Sequence, residues 1–211
     1  MLHEIRTYTL IPGKVPEYLK LAEEVSLPIR RNDAGVLVGW FSSEIGVLNQ
    51  LVHIWEWKDL EERQRQRVVL RARPGWVDVY NPQVDRLVHR REVSIINPAL
   101  PVKAPGSTGN FYELRRYRVL PGKLATWLEL FKGALPVREK YSKIVGLWQS
   151  EIGEQNEVMH LWAYKDLKER AEVRAKALLD PEWQSLLSKS APLLFHMRST
   201  ILVPAKFSPL Q

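Results

Sequence analysis

Two histidines, two arginines and two tyrosines stand out because each occurs twice in the same setting. His53, Trp55 and Trp57 fall at every second position, and His160, Trp162 and Tyr164 do so again. On a strand that spacing puts all three side chains on one face. Glu4, Arg6 and Tyr8 alternate in the same way, as do Glu113, Arg115 and Tyr117. An imidazole titrates near neutral pH and can serve as general base or acid. A guanidinium can pair with a carboxylate or an enolate-like oxyanion, and a phenol can donate a hydrogen bond. His160, His53, Arg115 and Tyr117 are therefore the candidate catalytic residues. Glu113, Trp162, Tyr164, Arg6, Tyr8 and Trp55 are the candidate ligand-binding wall. An aromatic wall with a few convergent polar groups is the usual form of a small-molecule site. The competing reading makes Glu4 with Arg6, and Glu113 with Arg115, buried ion pairs, and makes the histidines hydrogen-bonded core. Occurrence in both halves favours packing over a single catalytic role.

Other chemistries find little support. Cysteine is absent, which removes disulfides and thiolate chemistry. His53, His89, His160 and His196 have no HxxxH or HxxE spacing, so no metal or haem site is expected. The glycines form neither GxGxxG nor a P-loop, and no cofactor is expected. The formal charge is +7, which suits an anionic ligand. The basic residues are interleaved with acids, as in Glu61-Glu62-Arg63-Gln64-Arg65, so nucleic acid is not favoured as a partner. The arginines from 60 to 73 read as a solvated helix face with stems over apolar surface.

The elements that must position these residues are themselves duplicated. Glu4-Ile5-Arg6 and Pro12-Gly13-Lys14 return as Glu113-Leu114-Arg115 and Pro121-Gly122-Lys123, an offset of 109. Leu27-Pro28-Ile29-Arg30 returns as Leu135-Pro136-Val137-Arg138, an offset of 108. Ser43-Glu44-Ile45-Gly46 returns as Ser150-Glu151-Ile152-Gly153, and Lys58-Asp59-Leu60 as Lys165-Asp166-Leu167, both at 107. Each half reads β-α-β-β-α-β, a ferredoxin-like order. Strands are expected over 2–10, 36–44, 50–57 and 92–96, with a kink or break at Pro28 inside a helix from Lys14 to Arg31. The fold class is α+β: two tandem ferredoxin-like (βαββαβ) repeats packed as a dimeric α+β barrel within one chain. The expected boundaries are 1–98, a Pro- and Gly-rich linker over 99–110, and 111–211. The aliphatic faces carrying Val52 and Ile54, or Met159 and Leu161, are assigned to the helices. The His and aromatic faces are assigned to the barrel interior. The tail Pro204–Gln211 is read as a loose arm or an oligomer contact.

The Tyr112-Glu113-Leu114-Arg115 opening with Pro121-Gly122-Lys123 resembles the NIPSNAP family. So do the Ser-Glu-Ile-Gly hairpins and the His-x-Trp-x-aromatic-Lys-Asp-Leu blocks, in both halves. The resemblance implies the dimeric α+β barrel and little chemistry, since the family is largely without an assigned biochemical role. Animal members carry mitochondrial targeting, which is not expected here; the chain reads as bacterial, cytoplasmic, membrane-free and homo-oligomeric. The expected function is binding of a small molecule in the barrel interior, with transformation without a fixed cofactor as an open possibility. The alternative is a structural or protein-interaction module. If one pocket works, the more complete motif favours the second half.

Overall fold

The duplicated sequence folds as duplicated elements in each of two units. The computed structural model describes residues 1–107 and 109–211; position 108, inside the expected linker, lies outside the described residues. In the first unit β1 (Leu2–Leu10) leads to a helical segment made of α1 (Val15–Leu21), a π-helical turn (Ala22–Ser26) and α2 (Leu27–Arg30). The β2–β3 hairpin (Val36–Ile45 and Gln50–Trp57) follows, then α3 (Leu60–Ala72), a second π turn (Trp76–Tyr80), α4 (Asn81–Asp85) and β4 (Val88–Leu100). In the second unit the order is β5 (Phe111–Val119), α5 (Leu124–Arg138), β6 (Ile144–Ile152), β7 (Glu157–Tyr164), α6 (Leu167–Leu178), α7 (Pro181–Ser190) and β8 (Leu194–Pro204). The antiparallel pairing runs β4-β1-β3-β2 and β8-β5-β7-β6.

Pro28 does not break its helix. The chain winds through it because the π turn directly precedes it, placing the missing donor where the hydrogen-bond ladder has already shifted. The repeat offset drops by one across this segment, and the second copy, α5, holds Pro136 with no π turn. One extra residue taken up as a π turn accounts for the difference. Both hairpins carry a register shift before a glycine, Gly39 and Gly146. A Cβ there would meet the Phe41 ring at 2.7 Å and the Trp148 ring at 2.2 Å.

The unit boundaries cut through the fourth strands. The first unit comprises Met1–Ile96 with Val203–Leu210, and the second Asn97–Leu202 with Gln211. The tail is therefore not loose. Ala205 N donates to the Trp40 carbonyl at 2.9 Å, Ser208 Oγ accepts from Trp40 N at 2.9 Å, and the Phe207 ring lies edge-on to Trp40 at 5.4 Å. Leu210 is buried. The segment has apolar residues with a sheet edge to pair with, which outweighs the tendency of chain ends to fray.

Candidate functional site

The helices of each unit cover the face of the sheet that carries the repeated polar residues. Register sets the rows: Arg6 sits opposite His53 and Glu4 opposite Trp55, while Arg115 sits opposite His160 and Glu113 opposite Trp162. Trp55, Tyr8 and Trp57 pack in one core with Tyr18 and Leu21 of the first helical segment and with Tyr80. Trp162 and Tyr117 pack with Trp127, Phe131 and Leu135 of α5 and with Trp183 of α7. This reverses the assignment of faces made from alternation, and with it the location of the site. The cavities that these residues line lie between sheet and helices within each unit. Both strand faces are buried, so strand periodicity alone could not rank them. The aromatic residues of the facing helices are what take up the His and Trp row.

Each unit holds one such cavity, about 260 Å³ in the second and about 280 Å³ in the first. His160, Arg115, Tyr117 and Trp162 line the second; His53, Arg6, Tyr8 and Trp55 line the first. Eight of the ten candidates are thus brought to cavity walls, four in each half. Glu113 and Tyr164 are not on the wall. Glu113 is fully buried and accepts from Arg115 Nη1 at 2.8 Å, Arg170 Nη2 at 2.7 Å, Arg170 Nε at 3.0 Å and Ser199 Oγ at 2.5 Å. Burial alone would raise its pKa, but the hydrogen bonds from Arg170 and the charge of Arg115 outweigh it and pull the carboxyl down to about 2. It is an ion-pair anchor that aims Arg115. Tyr164 stands 3.4 Å from Arg138 Nη2, behind the wall.

The histidines have a fixed proton arrangement. Trp162 Nε1 donates to His160 Nδ1 at 2.6 Å, and Trp55 Nε1 donates to His53 Nδ1 at 2.6 Å. An indole N–H can only donate, so each Nδ1 is an acceptor and the neutral ring carries its proton on Nε2. Burial, reinforced by the nearby arginines, holds both imidazoles well below the ordinary histidine value. Both Nε2 atoms are buried and have no partner. Each histidine is therefore a neutral hydrogen-bond donor at physiological pH, not the general base its residue type suggested.

Two arginine positions complete the site that sequence reading missed. Arg30 and Arg138, from the repeated Leu-Pro-x-Arg, are buried and line the two cavities. Arg30 Cζ lies 3.6 Å from the Trp55 ring centroid, and Arg138 Cζ lies 4.7 Å from that of Trp162. Arg30 Nε and Nη2 and Arg138 Nη1 are buried without partners. Burial, with the Arg6 charge beside it, draws Arg30 down to about 9. Arg67 and Arg174 join from α3 and α6. Those helices start at Asp59 and Asp166, whose carboxylates cap Glu62 N and Glu169 N at 2.7 Å each. Spacing of four then puts Arg63, Arg67 and Arg71 on one face, and Arg170, Arg174 and Leu178 on its counterpart. Arg63 pairs with Glu4. The arginine-rich helix is thus only partly the solvated surface expected. Arg65, with 64% of its side chain exposed, fits that reading, and the Arg63 row does not. The signal lay in the sequence: Arg63 and Arg67 recur as Arg170 and Arg174.

The cavities themselves are unlike. The second is walled by Trp127, Phe131, Leu178, Leu187 and Met197. The first presents Tyr18, Arg71, Tyr80, Asn81 and Arg91. Among the described residues no three His, Cys, Asp or Glu side chains are grouped as a metal site, and no helix is long and apolar enough to cross a membrane.

Comparison with known proteins agrees with this duplicated layout. The human protein NipSnap homolog 2 is 31% identical over 222 aligned residues, spanning 100% of this chain and 75% of its own length. The Dictyostelium discoideum NipSnap homolog is 28% identical, covering 97% of this chain and 88% of the relative. A Lactobacillus acidophilus protein described as a "putative monooxygenase" superposes with a TM-score of 0.70 at 12% identity, covering 97% of this chain and 94% of that one. That likeness shows the fold alone, a dimeric α+β barrel of two ferredoxin-like repeats. The NIPSNAP pattern matches residues 3–101 and again 112–209, and the chain belongs to the NIPSNAP family.

Proposed function

We propose that this protein binds a small organic anion between sheet and helices, with the second-half cavity as the site for a flat, largely apolar, singly charged ligand. The observation that carries the reading is a set of buried donors with nothing to donate to. In the second half His160 Nε2, Arg138 Nη1 and Trp127 Nε1 are all unpartnered, and all three residues line the same cavity. Buried donors left unsatisfied cost about 1–3 kcal/mol each. A bound carboxylate, phenolate or enolate would satisfy them together. A cavity of about 150 Å³ suffices for benzene, so about 260 Å³ accommodates a bicyclic acid.

The same donors would stabilise an oxyanion that develops on a bound phenol or enol. Transformation without a cofactor would also call for a base, and the histidine is committed to Trp162 through Nδ1. Among the described lining residues of this cavity no carboxylate is present to replace it. The geometry therefore supports binding more strongly than turnover.

The test uses 2-naphthoate as probe, read by tryptophan fluorescence and by the melting temperature. The expected result is saturable quenching and a raised melting temperature in the native protein, with both lost in Arg138→Met and weakened in His160→Phe. Quenching that survives Arg138→Met unchanged, or no response at millimolar probe, would overturn the reading.

A further inference from the structure

The first-half cavity shares the inner donors of the second but not its rim. Strand register makes Arg91 the counterpart of Met197, since Tyr8 faces Arg91 and Tyr117 faces Met197. The repeat makes Arg71 the counterpart of Leu178 and Tyr80 that of Leu187. Five arginines line the first cavity (Arg6, Arg30, Arg67, Arg71 and Arg91), against Asp85 as the one carboxylate among its described lining residues. Asp85 Oδ1 accepts from Arg91 Nη2 at 2.6 Å. Arg6 is held by Glu4 and also donates to Tyr8 Oη at 2.9 Å. Arg30 keeps two unpartnered nitrogens and His53 keeps Nε2, and Arg67 is half-buried beside the Arg6 and Arg63 charges.

These cations come from four elements. Arg6 is on β1, Arg30 on α2, Arg67 and Arg71 on α3, and Arg91 on β4. A planar carboxylate is satisfied by one guanidinium fork. Donors converging from several directions suit a tetrahedral group with three terminal oxygens and close to two charges at neutral pH. Trp76 and Tyr80, whose rings lie 4.7 Å apart, supply an aromatic wall for the body that carries it. We propose that the first-half cavity binds a phosphate monoester with a small planar body, a different ligand class from the singly charged acid of the second half. This rests on the reading of these cavities as anion sites.

Calorimetric titration of the full chain with phenyl phosphate, beside 2-naphthoate, tests it. Phenyl phosphate is expected to bind one site and to weaken about tenfold or more in the double variant Arg67→Ala, Arg71→Ala. These two side chains lie outside the core, so the fold is retained. Arg30→Met should abolish the same binding, Arg138→Met should leave it intact, and the 2-naphthoate isotherm should respond in the opposite pattern. Phenyl phosphate binding that follows Arg138 and ignores Arg67 and Arg71 would overturn the assignment, as would no phenyl phosphate binding where 2-naphthoate still binds. Failure of both probes would instead bring down the anion reading itself.

Discussion

The two cavities share a floor and differ in their rims. Both floors carry a histidine locked by its neighbouring tryptophan, an arginine on that tryptophan, and an arginine and tyrosine from the first strand. Around them the first half has a tyrosine and two arginines where the second has two leucines and a methionine. The shared part needs the sheet, because register alone brings Arg6 to His53 and Arg115 to His160. The divergent part sits on helices and on a strand end, where one side chain can change without disturbing its neighbours. Duplication has kept the floor of the cavity and has let its rim vary.

The anchors beneath the two floors also differ, and there the largest effect is expected. Glu113 meets Arg115, Arg170 and, at 3.6 Å, Arg174, with a hydroxyl from Ser199. Glu4 meets Arg6 and Arg63, and the register counterpart of Ser199 is Val93. Breaking a buried pair by removing one partner costs about 3–5 kcal/mol. Glu113→Gln should reach that range in urea unfolding at neutral pH, and Glu4→Gln should cost less. Equal losses would show the two anchors to be equivalent. The acid limb gives an independent check. The Glu113 carboxyl is depressed from 4.5 to about 2, so its contribution is fully present above pH 4.5 and disappears as pH falls through about 2. That gap amounts to about 3 kcal/mol, and Glu113→Gln should remove it from the acid unfolding curve.

The second comparison concerns the histidines, where a smaller effect is expected. Both are buried and held well below the ordinary value, so the folded state keeps them neutral while the unfolded chain takes up protons below about pH 6.5. Stability should therefore be independent of these groups above pH 6.5 and fall on acidification. The loss grows as the pH falls further below that value. His53→Gln and His160→Gln should each flatten the slope of unfolding free energy between pH 7.5 and 5.5. An unchanged slope in one variant would mean that its histidine is not a neutral donor, and would separate the two floors.

Much of this was legible in the sequence, and the rest was hidden for a definite reason. The fixed-offset repeats of Glu-x-Arg-x-Tyr and His-x-Trp gave the strand order, and alternation correctly grouped the residues that share a face. Alternation could not say which face receives the helices, because Val52 and Ile54 are as buried as Trp55. That choice depended on Tyr18, Trp127, Phe131 and Trp183, helix residues that look like ordinary core until the partner surface is known. Arg30 and Arg138 end a repeated Leu-Pro-x-Arg, but nothing in that pattern distinguishes a buried guanidinium from the solvated one usual at a helix end. The identity of the histidine proton lies beyond any sequence pattern. It follows from a 2.6 Å contact between two side chains two residues apart.

The smallest expected effect is the one that separates a structural arginine from a binding one. A buried guanidinium with unpartnered nitrogens is a burden on the free protein, and a hydrophobic replacement of similar length is often neutral or stabilising. Arg30 leaves two nitrogens unpartnered and is 3% exposed; Arg138 leaves one and keeps Tyr164 within reach. Arg30→Met should then raise the unfolding free energy of the ligand-free protein by about 1 kcal/mol, and Arg138→Met should leave it within about 0.5 kcal/mol. The offsetting loss is the stacking of each guanidinium on its tryptophan, worth about 1 kcal/mol, and it applies to both. If Arg30→Met instead destabilised by more than about 2 kcal/mol, the guanidinium would be part of the core, and its open nitrogens would not be waiting for an anion.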